Sequence, residues 1–126
     1  MKMGYIALAL IILITCLLFM FNYYLENSAN TMTKLIKTMN YNVQKKDYTT
    51  AYKSFLSLKD KWEKSEKIIH LIVENEELDN INITIHEIES FFENKTFEEF
   101  FEKSYNLIFS INHLYEKNKL SLETIF

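Results

Sequence analysis

Three histidines each stand three or four residues before a carboxylate, a spacing at which an imidazole and a carboxylate could share a metal ion or a proton. Residues at this spacing lie on one face of a helix. The pairs are His70 with Glu74, His86 with Glu89, and His113 with Glu116. Di-metal sites in helical bundles use Glu-x-x-His motifs, and this sequence contains none. We therefore interpret the pairs as helix-surface contacts and predict no metal site, with a metal-dependent sensor or enzyme using these histidines as the alternative.

Other signatures of catalysis are missing from the sequence. It has no glycine-rich phosphate loop, no nucleophile elbow and no pair of cysteines. Cys16, the only cysteine, lies within an apolar run, so no intrachain disulfide can form. We predict a non-enzymatic protein without catalytic residues or cofactors.

Charge is segregated along the chain. Residues 34–67 contain nine lysines and four acidic residues, whereas residues 74–102 contain ten acidic residues and one lysine. Antiparallel packing of the basic half against the acidic half would cancel most of this field, and the alternative is that each half binds a partner of opposite charge. A basic stalk near a membrane could contact anionic headgroups. The candidate stalk residues are Lys34, Lys37, Lys45 and Lys46.

All fourteen basic residues are lysines. The chain thus lacks the planar guanidinium that makes bidentate contacts with guanine and phosphate. We predict no nucleic-acid partner.

Five phenylalanines crowd one predicted helix connection. Helical geometry prevents all of them from pointing into one small core. They form either a core cluster that closes one end of the fold or an exposed patch on which a partner docks. The five are Phe91, Phe92, Phe97, Phe100 and Phe101.

The elements that carry these residues are predicted to be helices. Proline is absent and Gly4 is the only glycine, so the residues that most often punctuate strands and hairpins are nearly missing. The predicted class is all-α, with one N-terminal transmembrane helix continuing into an antiparallel bundle of about four helices. We divide the chain into a transmembrane signal anchor, residues 1–25, and a helical domain, residues 26–126.

Residues 3–25 carry no charge and are rich in Ile, Leu, Ala and Phe. At about 1.5 Å per residue, such a helix spans the roughly 30 Å of bilayer hydrocarbon. Tyr5, Tyr23 and Tyr24 flank the apolar run, where aromatic rings favour the headgroup layer. We predict a single-pass membrane protein.

Three processed forms fit this segment less well. A cleaved signal peptide needs small residues at the cleavage site, and Ala29 behind Asn27 is a poor match. A lipoprotein needs a small residue before the modified cysteine, but Thr15 precedes Cys16. A type IV pilin carries a glutamate early in its mature helix, where this chain has Ala9.

The orientation of the anchor follows from its shape more than from its charges. Lys2 favours a cytoplasmic N-terminus, whereas Lys34 and Lys37 favour the opposite. A short basic start followed at once by an apolar run is typical of an uncleaved signal anchor. We therefore predict an extracytoplasmic domain.

Apolar residues recur at steps of three and four in four separate phases, which predicts four amphipathic helices. Three breaks of phase argue against one long coiled coil, and the short connections predict antiparallel neighbours. The predicted helices cover a stalk at 25–45 and then 48–73, 76–93 and 97–117. Their apolar stripes are Leu25, Ala29, Met32, Ile36, Met39 and Val43; Ala51, Phe55, Leu58, Trp62, Ser65, Ile69 and Ile72; Leu78, Ile81, Ile85, Ile88 and Phe92; and Phe97, Phe100, Phe101, Leu107, Ile108, Ile111, Leu114 and Tyr115.

Polar residues mark the predicted helix starts. Asp47 and Asn75 are the predicted N-caps of the second and third helices. Thr96 and Glu99 have the spacing of a capping box, which predicts the start of the fourth helix.

Four segments occur in a recognisable order along the chain. They are the apolar start followed by Asn22-Tyr23-Tyr24-Leu25-Glu26, then Lys61-Trp62-Glu63-Lys64, Glu76-Glu77-Leu78-Asp79-Asn80-Ile81, and Lys119-Leu120-Ser121-Leu122-Glu123. This ordered set resembles a bacterial family known as domain of unknown function 4363. The resemblance implies a membrane-anchored helical protein, often found with a membrane protein of another family, domain of unknown function 421, and it implies no activity.

These features predict a membrane-anchored, non-enzymatic helical interaction module at the bacterial cell envelope. Its expected partners are the membrane and another membrane or envelope protein. A self-assembling structural envelope protein is a further alternative, in which the chain forms a homo-oligomer.

Overall fold

The computed structural model describes residues 2–71, 73 and 75–125, with side chains as far as residue 118. Over these residues the chain forms four α-helices and no strand, which confirms the predicted all-α class. The apolar N-terminal segment and the stalk are one uninterrupted helix. The helices are α1 (Lys2–Gln44), α2 (Tyr48–Ile69), α3 (Asn75–Asn94) and α4 (Phe100–Ile125).

The four helices form an antiparallel bundle that includes only the second half of α1. Helix α1 packs against α2 and α4, while α3 packs on α4 and only lightly on α2. The end of α2 lies beside the start of the packed half of α1, where the Tyr24 hydroxyl donates to Ser65 Oγ at 3.4 Å. We call this the proximal end. At the opposite, distal end the α1–α2 and α3–α4 connections meet, and the Tyr48 and Phe97 rings stack at 4.5 Å.

The bundle core consists of the predicted stripes. All six stripe positions of α1 are buried, as are those of α2 from Ala51 to Ile69; Ile72 lies outside the described residues. The other two predicted stripes are each buried at four positions, and their remaining members are half-buried against the core. The buried positions are Leu78, Ile81, Ile85 and Ile88 in α3 and Phe100, Leu107, Ile111 and Leu114 in α4. The largest fully buried side chains include Trp62, Phe55 and Phe100. Burial of each such side chain contributes about 1.5–3 kcal/mol.

Among the described side chains, four polar ones also lie in the core, and of these only Ser65 stands on a predicted stripe. Ser65 Oγ donates to Ser28 Oγ at 3.5 Å, which joins α2 to α1, and Ser104 Oγ donates to the Phe101 carbonyl at 3.0 Å. The fourth is Asn40. Small serines let neighbouring helices approach closely while their hydroxyls remain hydrogen-bonded.

Helix α1 ends in a Schellman turn with a lysine where glycine is usual. Lys46 has a φ of 64°, in the left-handed region. Its N–H donates to the Val43 carbonyl and that of Asp47 to the Asn42 carbonyl, both at 2.9 Å. These bonds satisfy carbonyls that the helix end leaves without partners. A residue with a Cβ in this conformation costs about 1 kcal/mol relative to glycine.

The Lys46→Gly substitution is therefore expected to raise the free energy of unfolding by about 1 kcal/mol. The matched control is Lys37→Gly, at an exposed position inside α1, which should lower it by about 0.5–1 kcal/mol. Chemical unfolding of the full chain in detergent micelles measures both. Destabilisation of similar size in the two variants would contradict the strain at Lys46.

Several observed helix ends correct the sequence prediction. Helix α4 ends at Ile125, eight residues beyond the predicted residue 117, because no glycine or proline follows that would stop it. Helix α2 ends at Ile69, before the predicted residue 73, because the N–H groups of Leu71 and Val73 form turn bonds to Ile68 and Ile69. Asn75 is the first residue of α3 and not its N-cap.

The start of the fourth helix is also corrected. Helix α4 begins at Phe100, three residues later than predicted, so Thr96 and Glu99 do not form its capping box. The reason is that Lys95 takes a left-handed φ of 56° and the Thr96 N–H donates to the Phe91 carbonyl at 3.1 Å. These residues thus close α3 in the same way that residues 46 and 47 close α1.

Asp47 is confirmed as the N-cap of α2. Its carboxylate accepts the Thr50 backbone N–H at 3.3 Å. Hydrogen bonds with Thr50 lower the pKa of the Asp47 carboxyl from its ordinary value. The Thr50 side chain has the larger effect and the Thr50 backbone the smaller one. The cap is therefore ionised at neutral pH, which favours a helix N-terminus.

Candidate interaction surfaces

The first half of α1 is exposed over nearly all of its length, and Phe21, near the end of this half, packs against the bundle core. This is the one described helix that is long and apolar enough to cross a membrane, and none of its most apolar stretch is buried. Ile6 and Ile11 are 60% and 61% exposed, and Phe19 is 68% exposed. Beyond Leu25 the same helix buries one face in the bundle. The exposed apolar surface therefore ends where the bundle begins.

A groove of about 860 Å³ opens at the distal end, between α2 and the α3–α4 connection. We call it the aromatic groove. It forms because α3 packs only lightly on α2, which leaves aromatic side chains of both helices partly uncovered. Its apolar lining is Tyr48, Tyr52, Leu56, Phe92 and Phe97, and its charged lining is Lys53, Glu93 and Lys95.

The rings of the aromatic groove pack on one another. The centroids of Tyr52 and Phe92 are 5.4 Å apart, and those of Phe92 and Phe97 are 5.6 Å apart. The α2 side remains the more accessible, since Tyr48, Tyr52 and Leu56 are each about two-fifths exposed. The groove can therefore accept an apolar side chain between rings that are already held in place.

The five phenylalanines of the sequence prediction differ in burial, and none of them is exposed. Phe100 is fully buried, with its ring centroid 5.4 Å from that of Phe101. Phe92 and Phe97 line the aromatic groove, while Phe91 lines a shallower depression of about 400 Å³ beside α3. The cluster closes the distal end of the bundle, and its accessible rim comes from α2.

Sequence reasoning missed the α2 residues of the groove. Tyr48, Tyr52 and Leu56 follow one another at steps of four, on a face separate from the buried stripe. This second apolar line on α2 was the available signal.

Polar contacts hold α2 and α3 together below the groove. The Trp62 indole N–H donates to Asn82 Oδ1 at 2.7 Å, and Asn82 Nδ2 donates to Glu66 Oε1 at 3.0 Å. Lys59 Nζ lies 2.7 Å from Glu89 Oε2, and this hydrogen bond raises the pKa of Lys59 above 10.5. These contacts fix the distance between α2 and α3. The width of the aromatic groove depends on that distance.

The ion pair of Lys59 with Glu89 also joins the basic half of the chain, residues 34–67, to the acidic half, residues 74–102. The ion pairs of Lys103 with Glu87, at 2.8 Å, and of Lys117 with Glu77, at 2.9 Å, join α3 to α4. The Glu87 hydrogen bond raises the pKa of Lys103. The lysines of α4 thus neutralise part of α3, which the charge count of the sequence did not anticipate.

The four lysines of the predicted stalk contact are spread along α1. Lys34 and Lys37 are exposed about halfway up the bundle, whereas Lys45 and Lys46 lie at its distal end. At about 1.5 Å per residue, Lys45 stands some 30 Å from Leu25 along the helix. Lys45 Nζ lies 4.4 Å from the Tyr41 ring centroid. The structure does not bring the four together.

The histidines lie apart at different levels of the bundle. His70 follows α2 at the proximal end, and its partner Glu74 is outside the described residues. His86 Nδ1 is 4.0 Å from Glu89 Oε1 on exposed α3 surface, and the His113 ring stacks with Phe109 at 5.9 Å. Within the described part of the chain, no group of three His, Cys, Asp or Glu side chains could hold a metal ion.

Helix α4 carries a second accessible aromatic line that sequence reasoning did not single out. Tyr105 and Phe109 are 62% and 71% exposed, on the side of α4 away from its buried stripe. With His113 they stand at steps of four. They make a narrow ridge, in contrast to the concave aromatic groove.

Comparison with known proteins identifies a family. A family model described as Domain of unknown function (DUF4363) covers residues 19–125, which includes the end of the apolar segment and nearly all of the bundle. No curated protein and no solved structure gives a significant match.

Proposed function

The chain belongs to the DUF4363 family, and we propose that it is a membrane-anchored, non-enzymatic interaction module of the bacterial cell envelope. Its apolar half of α1 crosses the membrane once, and the bundle stands on the extracytoplasmic side. The observation that carries the proposal is the apolar stretch of α1, which is exposed on every side while the rest of the same helix is packed.

A bilayer accounts for this exposure better than water does. Contiguous apolar patches on soluble monomers seldom exceed a few hundred Å². Here residues 6–20, which carry no charge, are uncovered around most of the helix circumference. Exposed Tyr5 and Tyr23 flank it, at the depth where aromatic rings favour the headgroup layer. The short basic start at Lys2 supports the extracytoplasmic placement of the bundle.

The partner surface in this proposal is the aromatic groove. We propose that it holds an apolar segment with acidic side chains from another membrane or envelope protein. The apolar part fits between Tyr52 and Phe97, and the acidic part fits Lys53 and Lys95 at the rim, which outnumber Glu93. Aromatic residues with partial exposure and fixed neighbours are frequent anchors of protein interfaces.

A photocrosslinking experiment tests this role. A photoreactive phenylalanine analogue replaces Tyr52 in the full chain within native membranes, and we expect one discrete adduct larger than the chain. Leu56→Asp should reduce the yield of this adduct at least five-fold, because a carboxylate then faces the apolar part of the groove. Ile83→Asp, at a comparably exposed position on α3, is the matched control and should leave the yield unchanged.

The other outcomes of this experiment decide against the proposal. An adduct of two copies of the chain would favour the self-assembling alternative. An adduct from Tyr105 on α4 but none from Tyr52 would move the interface away from the groove. Phe100 is unsuitable for the photoreactive group because its side chain is fully buried.

A further inference from the structure

The proximal end of the bundle exposes apolar side chains that none of the described helices covers. Leu71, in the turn after α2, is 82% exposed, and Ile68 in the last turn of α2 is 43% exposed. Tyr23 on α1 is 71% exposed at the same end. The α2–α3 turn is therefore apolar where a turn in water is usually polar.

The level of this turn along α1 follows from two hydrogen bonds. Ser65 lies between Tyr24 and Ser28, at 3.4 Å and 3.5 Å between their hydroxyl oxygens. Because α2 runs antiparallel to α1, the four residues from Ser65 to Ile69 descend about 6 Å toward the start of α1. The turn is thus level with residues 21–23. Phe21, the last residue of the apolar run, packs against the bundle core, in agreement with this level.

We propose that the α2–α3 turn is a second membrane contact, in which Leu71 and Ile68 enter the boundary between headgroups and hydrocarbon of the bilayer that holds α1. This inference rests on the proposed anchoring of α1. The turn is continuous with the span at the depth of Phe21 and Tyr23, so the occupant of its apolar surface is the lipid that surrounds the span.

Charge plays a smaller part in this contact than apolar area does. Lys67 and His70 are exposed beside the turn and could approach lipid phosphates, but Glu76, exposed in the first turn of α3, adds a negative charge at the same end of the bundle. The contact should therefore form on a zwitterionic bilayer as well as on an anionic one.

A second membrane contact would fix the orientation of the bundle relative to the bilayer. A single transmembrane helix can tilt and rotate in the bilayer. Contact on the α2–α3 side restrains both motions and keeps the distal end, with the aromatic groove, away from the lipid. The groove then faces a partner at about the height of the bundle above the membrane.

Depth-dependent fluorescence quenching tests the contact. The full chain is reconstituted in phosphatidylcholine vesicles with or without lipids brominated along their acyl chains. An environment-sensitive fluorophore is attached to one cysteine: native Cys16 in the span, Leu71→Cys, or Leu56→Cys. The last two variants also carry Cys16→Ser. Leu56 is the matched control, because it is an exposed leucine of the same helix hairpin near the distal end.

We expect strong quenching at Cys16, quenching at Leu71→Cys at least three-fold above that at Leu56→Cys, and almost none at Leu56→Cys. Quenching at Cys16 with equal, weak quenching at the other two positions would overturn the second contact and leave the anchoring intact. Equal and strong quenching at both would also overturn it, because the bundle would then lie flat on the bilayer. Absence of quenching at Cys16 would remove the anchoring itself.

Discussion

Replacement of Phe100 by alanine is expected to lower the free energy of unfolding by about 3–5 kcal/mol. Phe100 is fully buried, and its ring lies 5.6 Å from that of Phe92 and 5.7 Å from that of Phe97. Removal of the ring loses apolar burial and leaves a cavity where α3 and α4 meet. Small domains are stable by only about 5–15 kcal/mol, so this variant loses a large part of the total.

The matched control is Phe109→Ala, about two and a half helical turns later on α4 and therefore on its opposite face. Phe109 is 71% exposed, so its loss should change stability by no more than about 0.5 kcal/mol. Urea unfolding of the full chain in detergent micelles measures both variants. The emission of Trp62 reports the transition, since its side chain is buried in the native bundle. Equal losses from the two variants would show that the Phe100 cluster does not hold the distal end together.

The core of this protein could be predicted from sequence because each helix carries one continuous apolar stripe. A helix has a single period, so the stripe identifies the buried face without knowledge of the neighbouring helix. The positions from Leu25 to Val43 show this well, since all six of the predicted residues are buried. The buried Ser28 stands beside this stripe and was missed, because a small polar residue gives no apolar signal.

Helix ends were harder to predict because competing local bonds decide them. Thr96 and Glu99 have the spacing of a capping box, yet the Thr96 N–H closes α3. Lys46 and Lys95 adopt left-handed conformations that their residue type does not favour. At both positions the turn that joins two packed helices outweighs the local preference.

The aromatic groove depends on which residues of neighbouring helices stand at the same height along the bundle axis. Sequence alone does not provide these heights. Phe92 and Phe97 are near one another in the chain, but the tyrosines that complete the groove come from α2. Their meeting at the distal end requires the antiparallel pairing of α2 with α3. Lys34 and Lys45 also stand at different heights along the bundle, although the sequence prediction placed them in one basic contact.

Introduction of two lysines into the apolar segment, Leu10→Lys with Leu13→Lys, is expected to release the chain from the membrane. A lysine near the centre of a transmembrane helix costs about 2.5–3.5 kcal/mol, so two cost about 6 kcal/mol. Residues 5–21 contain eleven Leu, Ile and Phe residues. Each of them contributes about 0.3–0.6 kcal/mol to insertion, and the nine that remain supply only about 3–5 kcal/mol.

The matched control places two lysines at exposed apolar positions of the bundle, Leu56→Lys with Ile83→Lys. Both double variants add the same charge. A difference in the fraction released from membranes therefore shows whether the apolar half of α1 is surrounded by lipid or by water. Extraction of membranes with alkaline carbonate should release most of the Leu10 and Leu13 variant and leave the control in the pellet. Since a water-exposed helix tolerates lysine at little cost, full retention of the Leu10 and Leu13 variant would contradict the placement of these two positions in the hydrocarbon of the bilayer.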